Sequence, residues 1–314
     1  MGTEIRVAES DADLEAWRRV RLAVLPNERA LPVAEMRAMM TPETLHLLAE
    51  LDGVLAGSGL AGRSSFDYAG LHARVMPKAR RRGVGTAILE RLADHAAGVG
   101  STEAGSLVGD PGSLVFAERF GFREVDRQVE QLRTIGSEPA PTFPDGIRVG
   151  SVADRPDLWA AAYDPFALGA LADMATDRPV VVSREQWERD WLAWPEAMFL
   201  ALDGDEIVGC AGLEADVDQP DRAEHALTAV ARHWRRRGLA SALKRMTLAF
   251  ASAHGIGEVY TWTQSGNADM RALNERLGYR YGTESITVRG PLPLADPRAR
   301  RSGAVVATRR LVSR

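Results

Sequence analysis

The chain has 314 residues, a net charge of only −4, and 45% hydrophobic and 26% charged residues. This length suits two compact domains, and the composition is that of an ordinary globular protein. The balanced charge gives no electrostatic reason to expect nucleic acid or an anionic membrane as a partner. We therefore expect small-molecule ligands, no nucleic acid, no membrane, and either a monomer or a homodimer.

The sequence predicts neither a disulfide nor a metal site. Cys210 is the only cysteine, which excludes an intrachain disulfide. The six histidines never fall in an HExxH pair or a comparable ligand spacing. The N-terminus has no apolar signal segment, and no apolar run approaches the length of a membrane span. We therefore expect a cytoplasmic protein without a bound metal.

The first half of the chain alternates between strand and helix patterns. A strand is predicted at residues 4–7, helical segments from Asp11 and from Leu31, strands around residues 45–61, and a strand that ends at Val75. A helix, a strand, a helix and a strand follow. This mixture of elements predicts an α/β fold with a mixed sheet.

A proline-rich segment then separates two similar halves. GSEPAPTFPDG, residues 136–146, has three prolines and two glycines and no periodicity, which is typical of an interdomain linker. Beyond it the same order of elements recurs. The predicted organisation has a domain at 1–138, a linker at 139–146, a second domain at 147–292 and a basic tail at 293–314 that is poorly ordered or docked on an acidic face.

An internal repeat relates the two halves. VMPKARRRGVGTAIL at residues 75–89 matches VARHWRRRGLASALK at residues 230–244, which lies 155 residues later. Each copy is followed by a second matched block, AERFGF ending at Phe122 and NERLGY ending at Tyr279. Two matches in the same order at nearly the same spacing indicate two copies of one domain.

In each copy a β-rich run ends in Arg-Arg-Arg-Gly-X-Gly/Ala, and an amphipathic segment follows at once. Glycine or alanine lets the backbone approach a ligand, while the free N–H groups and the dipole of the helix favour a pyrophosphate. The apolar positions at helical spacing are Leu239, Leu243, Met246 and Phe250 in one copy and Val84, Ile88 and Leu92 in the other. The alternative, a solvated helix that merely begins with arginines, is disfavoured by the duplication.

These loops resemble the acyl-CoA pyrophosphate loop of the GNAT acetyltransferase superfamily. The motifs that carry the resemblance are Arg80-X-X-Gly83-X-Gly85, Arg235-X-X-Gly238-X-Ala240 and, for the fourth-helix region, Asn267-X-X-Met270-X-X-X-Asn274-X-X-Leu277-Gly278-Tyr279. The resemblance covers nearly the whole chain. It implies two tandem GNAT-like domains, each with a mixed, mainly antiparallel sheet and helices on both faces.

The resemblance also implies acetyl-CoA, or another acyl-CoA, as co-substrate. In such proteins the fourth and fifth strands splay apart and the pantetheine lies between them; by position these strands are 224–231 and 258–263, with 67–75 and 101–107 in the first half. The cofactor-binding residues that it implies are Val230, Ala231, Arg235, Arg236, Arg237, Gly238, Leu239, Ala240, Asn267, Val75, Arg80, Arg81, Arg82, Gly83, Val84 and Gly85.

Acyl transfer to an amine needs a deprotonated nucleophile, oxyanion stabilisation and a proton for the departing thiolate. Glu224 is the leading candidate base, with an ordinary edge carboxylate as the alternative. Strand alternation predicts Glu224 and Thr228 on one face and His225 on the other, which makes Thr228 a second candidate. The resemblance implies a backbone N–H near Val230 as the oxyanion donor.

The candidate acid departs from the family pattern. A tyrosine usually stands four residues before the glycine of the final Gly-aromatic pair, and Asn274 occupies that place here. Asn274 either bonds the thioester sulfur or CoA, or has a structural role, while solvent or Thr263 supplies the proton. Cys210 lies in an apolar run, which indicates a buried core residue and not a nucleophile.

Two further patterns have an ordinary and a functional interpretation. Trp187, Trp191 and Trp194 are spaced i, i+4, i+7, which predicts one face of a helix that packs in the core or lines an acceptor pocket. The acidic run from Glu214 to Asp221 is typical of a solvated loop, and it would favour a cationic amine if it faced the cleft.

The predicted function is transfer of an acetyl or other acyl group from acyl-CoA to a primary amine of a small molecule, by direct attack in a ternary complex. A mycothiol-synthase-like acetyltransferase and a non-catalytic CoA sensor are the alternatives. The first domain lacks the nominated polar groups, since the counterparts of Glu224, Thr228, Asn274 and Asn267 are Ala69, Ala73, Ala117 and Asp110. We therefore expect the second domain to be catalytic and the first to be degenerate.

Overall fold

The computed structural model describes residues 2–26, 28, 30–64, 68–173, 176, 178 and 180–297. The chain forms two compact units: unit 1 comprises Met1–Arg127 and Ser285–Arg314, and unit 2 comprises Gln128–Glu284. Asp67, the predicted start of one strand, and the arginine-rich end of the tail lie outside the described residues.

Unit 1 begins with a four-stranded antiparallel meander. Its strands are β1 (Thr3–Val7), β2 (Leu45–Leu51), β3 (Val54–Arg63), β4 (Ala69–Val75), β5 (Glu103–Val108) and the first part of β6 (Arg123–Thr134). Its helices are α1 (Asp11–Val24), α2 (Val33–Ala38), α3 (Val84–Gly98) and α4 (Pro111–Arg119). Strands β1 to β4 pair antiparallel in chain order, and β4 pairs with β5 in parallel.

Unit 2 repeats this plan. Its strands are β7 (Ile147–Ser151), β8 (Phe199–Asp203), β9 (Glu206–Ala215), β10 (Arg222–Val230), β11 (Glu258–Gln264) and the first part of β12 (Arg280–Pro291). Its helices are α5 (Asp157–Ala161), α6 (Arg184–Asp190), α7 (Leu239–Ala253) and α8 (Ala268–Arg276), with a π-helical segment at Tyr163–Ala170. Strands β7 to β10 are antiparallel neighbours, and β10 runs parallel to β11.

Parts of two strands belong to the opposite unit from the one that their sequence position predicts. Residues 128–134 of β6 follow α4 in sequence, yet they belong to unit 2 and pair antiparallel with β11. Residues 286–291 of β12 follow α8, yet they belong to unit 1 and pair antiparallel with β5. The units therefore differ from the domains predicted at 1–138 and 147–292, because each half donates its last strand to the sheet of the other.

The amphipathic segments form the helices that the sequence predicts. Leu239 and Leu243 of α7 are buried against the sheet of unit 2, as are Val84, Ile88 and Leu92 of α3 in unit 1. Glycines let these helices approach their sheets: a Cβ on Gly209 would lie 2.8 Å from Leu243 Cδ1. Burying such apolar stripes is what holds the helices on the strands.

The tryptophan pattern is only partly a helix face. Trp187 lies in α6, is fully buried and stacks on Trp159 at 4.3 Å between ring centroids. The helix ends at Asp190, and Trp194 has φ −139° and ψ 88°, outside the helical region, because the residue before a proline, here Pro195, is disfavoured in helix. Trp194 packs instead on Phe250 of α7. The predicted single face of three tryptophans was therefore wrong, and core packing accounts for Trp187.

Among the described residues, no helix has both the length and the apolar character that crossing a bilayer requires.

Candidate active site

Strands β10 and β11 separate soon after they meet. They pair in parallel at only three positions, from Arg222↔Glu258 to Glu224↔Tyr260, and the rest of β10 has no partner on that side among the described residues. Backbone groups beyond this point are available to a ligand, since a strand edge carries unpaired N–H and C=O groups. This opening is the centre of the candidate site in unit 2.

A row of polar side chains lies at the last paired position. Glu224 is the register partner of Glu214 on β9 and of Tyr260 on β11, and the Tyr260 hydroxyl donates a hydrogen bond of 3.1 Å to Glu224 Oε2. Directly opposed carboxylates repel each other, so they favour a cation on their face of the sheet. Glu214, which the sequence predicts in a solvated loop, is thus part of β9, and that prediction was wrong for it.

The same row in unit 1 holds only glycines. Gly70 of β4 is the register partner of Gly62 on β3 and of Gly105 on β5. Register also corrects the counterpart of Glu224, which is Gly70 and not the Ala69 obtained by counting back from the loop. The reason is an extra residue in β10, so the count slips by one.

That extra residue forms a bulge in β10. The pairing with β9 shifts between His225, opposite Leu213, and Thr228, opposite Ala211. Leu213 and Ala211 lie on one face of β9, so Thr228 shares a face with His225 and not with Glu224. The predicted alternation was therefore wrong. Thr228 Oγ1 is inaccessible to solvent and has no hydrogen-bond partner among the described residues.

On the α7 face, a buried polar cluster lies beneath the bulge. His225 Nδ1 is 3.3 Å from the carbonyl oxygen of Gly212, the β9 residue opposite the bulge, and His225 Nε2 is 2.5 Å from the Tyr279 hydroxyl. Burial, followed by the nearby Lys244 ammonium, holds the pKa of His225 well below its usual range. The neutral ring therefore donates from Nδ1 to Gly212 and accepts from Tyr279 at Nε2.

Lys244 completes this cluster. It is almost fully buried, its Nζ lies 5.5 Å from the centre of the Tyr279 ring, and burial lowers its pKa from 10.5 to about 7. Burial also raises the pKa of Tyr279 above its usual range, so its phenol is neutral. Unit 1 has apolar Leu89 and Phe122 at the positions of Lys244 and Tyr279, and the described ladder of β4 with β3 has no bulge.

Helix α7 begins without a side-chain cap. Gly238, at its N-cap, has φ +83°, a conformation that favours glycine, and Arg236 also has a positive φ of 63°. Leu239 is buried beneath this turn and Ala240 lies beside it. An uncapped helix start with outward N–H groups fits a phosphate. Unit 1 has the same backbone, with φ +88° at Gly83 and 63° at Arg81.

The three arginines of the loop have different partners. Arg235 donates from Nε to the Val230 carbonyl at 3.1 Å and from Nη2 to Asp173 at 2.7 Å, so its side chain supports the loop. Arg237 lies over the Trp234 ring, and Arg236 is exposed beside Asp269. In unit 1, Arg80 donates likewise to the Val75 carbonyl at 3.2 Å, while Arg82 pairs with Asp52 at 3.0 Å.

The backbone at the end of β10 is divided between two sides. The Ala231 N–H donates to the Val208 carbonyl on β9 at 2.9 Å, so it is not available to a ligand. Because successive amides of a strand point in opposite directions, the Val230 N–H is directed towards the opening. Of the two residues predicted to contact pantetheine, Val230 is therefore the one whose N–H is not already bonded to β9.

Asn274 and Asn267 have structural contacts that the sequence did not reveal. Asn274 is fully buried, and its Nδ2 donates to Gln131 Oε1 at 2.8 Å and lies 3.4 Å from Thr263 Oγ1, while its Oδ1 has no partner among the described residues. Asn267 caps α8 by accepting from the Met270 N–H at 3.2 Å, as Asp110 caps α4 in unit 1. Capping therefore accounts for Asn267 without a cofactor.

Comparison with known proteins identifies this arrangement. The model of the acetyltransferase (GNAT) family matches the chain twice, at residues 11–122 and 168–279. The chain belongs to this family. Its two GNAT domains are in tandem, and it is an acetyltransferase. GNAT acetyltransferases use acetyl-CoA, which agrees with the uncapped helix and the separated strands.

The similar proteins include tandem GNAT proteins. Mycothiol acetyltransferase of Nocardia farcinica (strain IFM 10152) is 26% identical over 278 residues, which cover 84% of this chain and 90% of that protein. A tandem GNAT protein from the clavulanic acid biosynthesis pathway has a TM-score of 0.72 at 19% identity, covering 92% of this chain and 98% of its own. A GCN5-related N-acetyltransferase from Sphaerobacter thermophilus has a TM-score of 0.71 at 19% identity, covering 92% and 95%.

In this GNAT acetyltransferase, sequence reasoning missed the residues that depend on register. Tyr260, Tyr279 and Lys244 were not nominated, and Glu214 was placed in a loop. Comparing the two copies position by position would have revealed Lys244. It is a charged residue at a helix position where the other copy has the apolar core residue Leu89.

Proposed function

We propose that unit 2 transfers an acetyl group from acetyl-CoA to the primary amine of a small molecule, with Glu224 as the base. The observation that carries this proposal is the row Glu214, Glu224 and Tyr260 at the mouth of the separated strands, where unit 1 has three glycines. Two carboxylates favour a cationic amine, and one of them takes its proton.

Acetyl-CoA supplies the activated acetyl group when it is bound. The N–H groups at the start of α7 would hold its pyrophosphate, and the glycine turn at Gly238 would admit it. The Val230 N–H at the edge of β10 would donate to the thioester carbonyl oxygen at the end of the pantetheine arm and so polarise it. Two observations support the binding of acetyl-CoA at this site: the start of α7 has no side-chain cap, and the Val230 amide is directed into the opening.

The amine attacks directly, without an acyl-enzyme. Cys210, the only cysteine, is fully buried on β9, and burial raises the pKa of its thiol well above the usual range. A neutral, inaccessible thiol is a poor nucleophile. Glu224 instead accepts the proton of the ammonium, held in place by the Tyr260 hydroxyl. The nitrogen gives its second proton to solvent as the tetrahedral intermediate collapses, and solvent protonates the departing thiolate, since Asn274 has no acidic proton.

A second acceptor class is supported by the relatives. Proteins named mycothiol acetyltransferase match most of the chain, so the acceptor of those relatives is a candidate substrate of unit 2. The carboxylate row suits either acceptor, provided that it presents a primary amine.

The test begins with acetyl-CoA and a panel of primary amines that includes this acceptor. Saturating acetyl-CoA should raise the melting temperature, and an amine of the panel should release free thiol. Glu224→Gln should lower kcat by about 100-fold, as loss of a general base does. Glu188→Gln, an exposed glutamate on α6, is the matched control and should keep the wild-type rate. An unchanged kcat in Glu224→Gln would exclude this carboxylate as the base.

Matched substitutions at two glycines test which unit catalyses the reaction. Gly238→Glu and Gly83→Glu introduce the same charge and the same strain, because their φ angles are +83° and +88° and both have open space at the Cβ position. Only Gly238→Glu should abolish turnover. Loss of activity in a folded Gly83→Glu variant would assign the reaction to unit 1.

A further inference from the structure

Unit 1 has two unpaired polar side chains at adjacent positions of its sheet. Ser58 of β3 and Arg74 of β4 are direct register partners, so their side chains share one face about 5 Å apart at the Cα atoms. Ser58 is fully buried, and its Oγ has no hydrogen-bond partner among the described residues. Arg74 Nη1 is likewise inaccessible to solvent and has no hydrogen-bond partner among the described residues.

This face is the one opposite α3. A Cβ on Gly57, the neighbour of Ser58, would contact Ile88 of α3 at 2.9 Å, so Ser58 itself is directed to the other side. There Trp17 of α1 lies 5.3 Å from the Arg74 guanidinium carbon and is fixed by a hydrogen bond of 2.7 Å to the Gly59 carbonyl. The guanidinium is thus held in place by an aromatic ring, while one of its nitrogens lacks an acceptor among the described residues.

Leaving a buried donor unpaired destabilises a fold, and the effect is larger when the donor is charged. Native proteins therefore keep few such groups, and two at neighbouring positions call for an explanation. Both groups are hydrogen-bond donors on one face of the sheet. A molecule with a carboxylate would satisfy the pair, with Arg74 supplying the opposite charge.

The charged groups that act on this face include three arginines, Arg21, Arg37 and Arg74, and one carboxylate, Glu28. Burial, together with Arg37 and Arg74, lowers the pKa of His46 to about 4, and burial, together with Arg74 and Arg21, lowers the pKa of His72 to about 3, so both rings are neutral near pH 7. Burial lowers the pKa of Arg74 to about 9, which leaves it charged. The nearby carboxylate, Glu28, pairs with Arg21 at 3.3 Å.

Unit 2 does not share this feature. Its register partners at the corresponding positions are Cys210 and Ala229, which are buried and apolar. The arginine and the serine are therefore particular to unit 1. They stand on the sheet face that carries the two glutamates in unit 2, where Glu214 lies four residues beyond Cys210 on β9.

We propose that unit 1 is a binding site for a small organic carboxylate, which accepts hydrogen bonds from Arg74 Nη1 and Ser58 Oγ beside Trp17. The site stands independently of the acetyl transfer assigned to unit 2. Its polarity is the reverse of the carboxylate row, so the two units select ligands of opposite charge.

The test is calorimetric titration of the full chain with succinate, acetate and inorganic phosphate, with melting temperatures recorded in parallel. Succinate or acetate should bind the wild type. Arg74→Ala should weaken that binding by at least about tenfold, as expected for loss of a charge-assisted hydrogen bond. Arg91→Ala removes an exposed arginine from α3 with the same change of charge, and it should bind like the wild type.

Ser58→Ala keeps the experiment decisive if Arg74→Ala fails to fold. Alanine fits the space and removes an unpaired hydroxyl, so the variant should be as stable as the wild type and yet bind the carboxylate several-fold more weakly. Absence of carboxylate binding to the wild type, binding of phosphate alone, or wild-type affinity in both variants would overturn the proposal.

Discussion

Lys244 shows how a single residue departs from the repeat. Its counterpart in unit 1 is Leu89, a core residue, whereas the ammonium of Lys244 is buried against Tyr279 and beside His225. A buried ammonium destabilises the fold relative to a neutral amine, which is why burial lowers its pKa to about 7. The lysine is therefore a source of pH-dependent stability.

We expect the free energy of unfolding to rise between pH 7 and pH 10.5. The unfolded chain retains the proton up to its usual pKa of 10.5 while the folded chain loses it near 7, so the unfolded state binds more protons throughout this window. The slope is up to about 1.4 kcal/mol per pH unit. Urea unfolding at several pH values should show this slope in the wild type and lose it in Lys244→Leu.

The titration of Lys244 can also be measured directly, because the sequence has only two lysines, Lys78 and Lys244. In protein labelled with ¹³C-lysine, one side-chain signal should titrate near pH 7 and the other, from exposed Lys78, should serve as the internal control. A Lys244 signal that titrates near 10.5 would contradict the burial argument.

His225 and Tyr279 form the second residue-scale test. Tyr279→Phe removes the donor to His225 Nε2 and leaves a buried acceptor unpaired, which should lower stability by about 1 to 3 kcal/mol. Replacing both residues, His225→Leu with Tyr279→Phe, should recover part of that loss, because no polar group is then left unpaired. The measurement is a double-mutant cycle by urea unfolding. Additive losses would mean that the two side chains are not coupled.

At the scale of elements, the bulge distinguishes the two copies of the splayed strand. Strand β4 pairs with β3 without a shift, whereas β10 carries an extra residue between His225 and Thr228. The imidazole of His225 donates to the carbonyl of Gly212 opposite this bulge. The backbone beside the carboxylate row is thus held in a shape that a regular ladder would not give it.

Deleting Ala226, one of the two residues of the bulge, should restore a regular ladder in β10. We expect the variant to fold and still gain thermal stability from acetyl-CoA, because the start of α7 is unchanged. Acetyl transfer should fall by about 100-fold, the cost of misplacing reacting groups by about 1 Å. Deleting Ala73 from β4 shortens the regular strand of unit 1 by one residue and serves as the comparison, and the folded variant should keep an acetyl-transfer rate much closer to that of the wild type. Full activity in the Ala226 deletion would show that the bulge has no part in the reaction.

Local patterns predicted the elements well, and non-local pairing explains what they missed. The repeat, the amphipathic helices and the glycine turns at Gly83 and Gly238 followed from spacing, because each depends on neighbours in sequence. The face of Thr228 was wrong because alternation assumes an unbroken ladder, and a bulge leaves no reliable mark in sequence. Whether Glu214 lies in a strand or a loop depends on pairing with a partner strand, which sequence spacing does not specify.

At the scale of the whole molecule, the exchanged strands determine which fragments can fold. Residues 147–292 follow the sequence boundary but lack residues 128–134, which pair with β11 along its full length. Residues 128–284 contain this pairing. We expect the fragment 128–284 to melt cooperatively and the fragment 147–292 to be unstable or aggregated, as judged by circular dichroism and size-exclusion chromatography. A monomeric 147–292 fragment with the thermal stability of the full chain would contradict this role of β6.

The exchange of strands also determines when each sheet can be completed during synthesis on the ribosome. Strand β5 leaves the ribosome about 180 residues before its partner in β12, a delay of roughly ten to forty seconds at common rates of synthesis. During that time one edge of its sheet is open, and open edges attract other chains. The N-terminal half therefore cannot finish folding as it emerges. A chain cut short by a premature stop codon anywhere before β12 leaves unit 1 without the strand that pairs with β5.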